Sequence, residues 1–123
     1  MEANPSDIAL SKLSGPFSYN SAAERSIAVN DAWADHGNFP DDILIDGLTG
    51  IARLDRDELA ATAPWDGARI SPARILGEGM GVRCGFQTIA AIEALRDGHA
   101  SATVFAAGGN QHAFCARFTR HTA

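Results

Sequence analysis

The chain has 123 residues, 46% of them hydrophobic and 20% charged, and 10 Lys and Arg against 15 Asp and Glu leave a net charge of −5. That composition suits one globular domain with a modest core and excludes disorder; the absence of basic clusters excludes an electrostatic nucleic-acid footprint, and no run of 18 apolar residues exists to span a membrane. The opening, MEANPSDIALSKLSG, lacks a basic stretch followed by an apolar core, so no secretory signal is read there. The two cysteines, Cys84 and Cys115, make no disulfide framework, and a reducing, cytoplasmic setting is expected.

Residues 1–15 are polar and punctuated by Pro5 and Gly15, and read as a tail or lead-in to one domain over 16–123. Ser21-Ala-Ala-Glu24 is a capping box, and the apolar stripe Ala23, Ile27, Val29, Ala32, Trp33 carries a helix over 22–36, closed by Gly37. Ile43 to Ile45 is a short buried strand. Asp55 with Glu58 repeats the capping spacing and predicts a helix that Pro64 ends. Ala68 to Ser71 reads as a second short strand. From Gly81 to Gly98 apolar residues surround a long helix, with Arg83, Gln87, Glu93 and Arg96 as its wet strip, so it is expected to be buried on more than one side. Ala102 to Ala106 is a strand buried on both faces, Gly108-Gly109-Asn110 a hairpin turn, and His112 to Thr119 a strand with one core face. The fold class is therefore α/β: a layered mixed sheet with a buried central helix and a C-terminal antiparallel strand pair.

Few residues advertise chemistry. Gly77, Gly79 and Gly81 precede a helix but are not GxGxxG, and no P-loop Lys follows, so they read as close backbone packing rather than a nucleotide cradle. The four histidines and two cysteines have no metal-ligand spacing, and no cofactor or metal is expected. Cys84, inside the greasy helix, and Cys115 read as small hydrophobes. Asp46 and His112 form an acid–base pair only if the fold brings them together. Asp55 and Glu58 read as a helix cap.

Three blocks, in order, resemble the β-ketoacyl synthases of the thiolase fold and their chain-length-factor relatives. DDILIDGLTGIARLDRDE, residues 41–58, is similar to the segment ending His-Gly-Thr-Gly-Thr and followed by Asp-x-x-Glu, with Thr49, Gly50, Asp55 and Glu58 in register. SPARILGEGMGVRCGFQTIAAIEALRDG, residues 71–98, resembles the Lys and Gly-His-x-x-Gly segment before a long buried helix, with Gly77 and Gly81 matching. FAAGGNQHA, residues 105–113, resembles the Gly-Phe-Gly-Gly turn, with Gly108 and Gly109 matching.

The departures fall on the chemistry. The family's catalytic His, Lys and second His fall on Gly47, Ala73 and Glu78, the turn's Phe falls on Ala107, and the half that carries the nucleophilic Cys has no counterpart here. Imidazoles at the two His positions would stabilise an enolate; Gly47 offers no side chain, and Glu78 brings negative charge. Backbone N–H groups near Ala107 and Gly108 could still serve an oxyanion hole.

The resemblance implies a thiolase-like half-domain, and with it a non-catalytic accessory subunit that pairs with a ketosynthase or a separate N-terminal half. Its setting would be polyketide or fatty-acid biosynthesis on an acyl carrier protein, where it shapes the acyl-chain cavity. Two rivals stand beside it. One is half of a split acyltransferase or condensing active site using Glu78, His112 or Asp46. The other is a homodimeric α/β binding domain that covers its apolar helix with a second copy.

Overall fold

The computed structural model describes residues 8–37, 39–72, 83–108 and 112–120. In chain order these form β1 (Ile8–Ser18), α1 (Ala22–His36), β2 (Ile43–Ile45), α2 (Ala52–Ala61), β3 (Arg69–Ile70), α3 (Arg83–Arg96), β4 (Ser101–Gly108) and β5 (His112–Arg120). One five-stranded sheet runs β1-β5-β4-β2-β3; β2 is parallel to β3 and β4, and β5 is antiparallel to β4 and β1. The mixed sheet and the C-terminal antiparallel pair match the reading from sequence.

Period-two alternation sorts the strands into two cores. Leu44, Phe105, Ala107, Ala113 and Cys115 face α1 and α2, packing on Ala28, Val29, Ala32 and Ala61. Ile43, Ile45, Ala102, Val104 and Ala116 face the other way, onto Ala91, Ala94 and Leu95 of α3. The described residues thus form three layers, with two helices on one face of the sheet and one on the other. Among the described residues no helix is long and apolar enough to cross a membrane.

Helix α1 begins as its sequence requires. Ser21 Oγ accepts the Glu24 N–H at 3.2 Å, while the Glu24 carboxylate reaches back to the Asn20 N–H at 2.7 Å, one residue earlier than an ideal box. It ends where Gly37 turns to φ 88° and donates to the Trp33 carbonyl, a left-handed conformation that suits glycine.

Three expectations give way. Residues 8–15, read as a tail or lead-in, belong to an eleven-residue edge strand, so a boundary at 16 cuts through β1. A half-exposed edge strand with Pro16 and two register shifts against β5 lacks the alternation that marks a strand in sequence. Strand β5 has two core faces, because Phe114, Ala116 and Phe118 pack on the α3 side and Ala113 and Cys115 under α1. On α3 the wet and dry assignments cross: Gln87 is fully buried and Ile89 is 60% exposed.

Candidate functional site

The topology singles out one location. From β2 the chain moves outward through α2 to β3, then returns by α3, on the opposite face, to β4 on the other side of β2. In open α/β sheets the crevice beyond the C-terminal ends of the strands at such a reversal is where ligands sit. Here those ends carry Asp46 and Gly47 after β2, and Ala107 and Gly108 closing β4.

The loop after β2 is held by carboxylates from α2. Asp55 accepts the Thr49 N–H at 2.8 Å, the Thr49 hydroxyl at 2.9 Å and the Gly50 N–H at 2.8 Å. Glu58, 2% exposed, accepts the Gly47 N–H at 3.0 Å. The helix-cap reading of these two residues is therefore corrected. Helix α2 starts earlier, at Ala52, with Ile51 as a cap residue that makes no side-chain bond, and both acids bind the loop before it. Three residues apart on one helix, they face the same side and fold back over 47–50.

Gly47, where the resemblance sets a catalytic His, has no room for a side chain in this arrangement. A Cβ there would stand 2.8 Å from a Glu58 carboxylate oxygen. Asp46, a catalytic candidate, is fully buried and engaged: it pairs with Arg69 on β3 and accepts the Leu48 N–H at 3.0 Å. Arg69 also donates to the Thr62 hydroxyl at 3.0 Å, tying β3 to the end of α2. Asp46 thus works as a brace between strands.

His112 opens β5 opposite Gly108 on β4, and Ile45 on β2 stands opposite Val104. Three residues along the strands and two strands across separate Asp46 from His112 by roughly 14 Å between Cα atoms. The fold does not bring them together as an acid–base pair. Glu78, Gly77, Gly81, Ala73 and Gly109 lie outside the described residues.

One participant was misassigned in the sequence. Gln87 rises from α3 beneath the crevice, and its amide N–H2 donates to the Phe105 carbonyl at 2.6 Å and to the Ile45 carbonyl at 3.3 Å. Two carbonyl acceptors fix which end of the amide is nitrogen, and the other end, Oε1, has no partner. A lone amide on a greasy helix was the available signal; a buried amide demands partners that sequence cannot name.

A second polar cluster lies at the opposite end of β2. Asp42, 2% exposed, accepts both prongs of Arg117 at 2.9 and 3.0 Å, the Thr103 hydroxyl at 2.8 Å and the Ser101 hydroxyl. Burial pushes Asp42 up, but the hydrogen bonds from Arg117, Ser101 and Thr103 outweigh it and hold the carboxyl below the usual range. The Thr103 proton is given to Asp42, so His36 must donate from Nε2 to Thr103, at 3.0 Å, leaving Nδ1 bare and unpartnered. Burial and then the Lys12 ammonium lower the His36 pKa to about 4. Burial, followed by the charges of Glu58 and Asp35, pushes the Cys115 thiol up, which removes it as a nucleophile. Among the described residues no group of three or more His, Cys, Asp or Glu is placed to hold a metal ion.

No protein-family model matches this chain, and no curated protein does. Among solved structures it is similar to a chain of the AntDE:AntF (apo) assembly, a type II PKS acyl-carrier protein in complex with its ketosynthase bound to the hexaketide. The TM-score is 0.69 at 9% identity, over 91% of this chain and 33% of that one. The two share a fold. This chain spans about a third of the solved chain it matches, which is therefore nearly three times as long.

Proposed function

We propose that this chain is a ketosynthase-like half-domain of the thiolase type. In this reading it is a non-catalytic accessory subunit that pairs with a ketosynthase, or with a separate N-terminal half, in polyketide or fatty-acid biosynthesis and helps to enclose the acyl-chain cavity. The observation that carries the proposal is a half-bare sheet face. Leu10 stands opposite Phe118 and Leu13 opposite Ala116, and cross-strand neighbours share a face, so both leucines project on the α3 side. They are 54% and 55% exposed, and Ile89 on α3 is 60% exposed.

Width explains the gap. Five strands at about 4.8 Å make a sheet some 24 Å across, and α3, the one helix on this face among the described residues, is about 10 Å wide and covers less than half of it. Helix α3 packs on β4, β2 and the near side of β5, and among the described residues no element covers Leu10 and Leu13 on the β1 edge. Apolar surface of this kind marks a partner site. The solved likeness supports the reading, because its assembly joins a ketosynthase to a carrier and the matched chain is large enough to contain a second half. The loss of chemistry at Gly47 and the engagement of Asp46 support an accessory role over a split acyltransferase site, which would now rest on Glu78 and His112.

The test is co-expression of this chain with ketosynthase subunits encoded beside it, followed by affinity capture and light scattering. Co-purification in fixed stoichiometry is expected. A well-folded lone monomer with every candidate would overturn the proposal, and a stable dimer of this chain alone would favour the homodimeric reading, which the same bare face also supports.

A further inference from the structure

The opposite face of the molecule carries a separate feature. Trp33 of α1 and Trp65, after α2, meet edge to face with ring centroids 6.1 Å apart. With Pro40, Pro64 and Asp66 among their neighbours they line an open groove of about 420 Å³. Both indoles are held: Trp65 Nε1–H donates to the Ala68 carbonyl at 3.1 Å, and Trp33 packs on Phe105 at 5.4 Å between centroids. Among the described residues no Lys or Arg lines the groove, and Asp66 has no hydrogen-bond or ion-pair partner.

We infer that this groove receives an arginine side chain from a partner protein, its guanidinium stacked on indole and paired with Asp66. The chemistry favours that group. Indole faces attract cations, most of all a flat guanidinium, and a carboxylate next to the ring offers the two oxygens that match its fork. The proline-walled groove suits the apolar stem of the same side chain. The excess of acid over base in the chain favours a cationic visitor.

Both tryptophans of the chain line the groove, so intrinsic fluorescence reports occupancy directly. The experiment titrates the full chain with a Gly-Gly-Arg-Gly-Gly peptide and with the same peptide carrying citrulline, the neutral isostere of arginine. Arginine is expected to bind about fivefold or more tightly, the ratio that roughly 1 kcal/mol of cation–π and ion-pair attraction gives. Asp66→Asn, at an exposed and unpartnered position, is expected to keep the unfolding midpoint and lose most of that preference. Equal binding of the two peptides, no fluorescence change with either, or full arginine preference in Asp66→Asn would each overturn the inference. Pairing with a ketosynthase is read out separately, so either proposal can fail while the other stands.

Discussion

Arg117 on β5 grips Asp42 with two hydrogen bonds across the intervening strand β4, at 2.9 and 3.0 Å. The same guanidinium lies 4.0 Å over the Phe39 ring, and Thr103 and Ser101 of β4 complete the carboxylate's coordination. Strands β4 and β5 and the loop leading into β2 are therefore cross-linked by one acid. Breaking a buried pair from one side leaves its partner uncompensated, so Asp42→Ala is expected to cost about 3–5 kcal/mol in urea unfolding. The double variant Asp42→Ala with Arg117→Met should lose clearly less than the sum of the two single losses. Additive losses would mean that the pair does not act as a unit.

The neighbouring His36 sets a dependence on acid. Its folded pKa of about 4 lies below the ordinary 6.5, so between these values the unfolded chain binds the extra proton and the native state does not. The groups facing it are Lys12 from β1, Arg117 from β5, Asp42 before β2 and Asp35 on its own helix. The stability due to a neutral His36 is complete above pH 6.5 and drains away as pH falls towards 4, by about 3 kcal/mol across the window. Asp42, held below its usual value, adds a further loss only at still lower pH. Unfolding midpoints from pH 4 to 7.5 should rise with pH in the native chain and rise much less in His36→Gln.

Local rules carried the sequence reading where local forces dominate. The capping box at Ser21, the turn at Gly37, and the all-apolar runs of β2 and β4 were legible because each depends on neighbours within a few residues. Strand β1 was not, since its ordering comes from pairing with β5, about a hundred residues later, and its exposed face hides any alternation. Asp55 and Glu58 carried a true signal, acids at the start of a helix, but the spacing alone did not say that the acids bind the preceding loop. The Asp42 cluster gathers residues from two strands and a loop, and nothing within the span of a motif announces it. Gln87 and Ile89 exchanged roles because side-chain polarity was trusted over what the sheet could reach.

Glu58 and Gly47 make the site's missing side chain a measurable quantity. With a carboxylate oxygen 2.8 Å from where a Cβ would stand, Gly47→Ala must push Glu58 aside and break the bond to the Gly47 N–H. Overpacking of this kind costs about 1–3 kcal/mol. Glu58→Ala removes the obstacle, so in that background the Gly47→Ala penalty should shrink. A penalty unchanged by the loss of Glu58 would show that the constraint at Gly47 lies in its backbone.

The half-bare face of the sheet can be separated from ordinary surface by charge. Leu13→Glu and Ile89→Glu place carboxylates at positions more than half exposed, so the isolated fold should change by no more than about 0.5 kcal/mol. In a complex the same positions become buried beneath a partner, and an uncompensated charge there should weaken assembly by about 2 kcal/mol or more, roughly thirtyfold. Ile27→Glu supplies the control, since Ile27 is 61% exposed on α1, the helix that covers the other face. Affinity measured by titration calorimetry should fall for Leu13→Glu and Ile89→Glu and hold for Ile27→Glu. The reverse pattern would move the partner surface to the α1 side and leave the exposed leucines of β1 without a role in assembly.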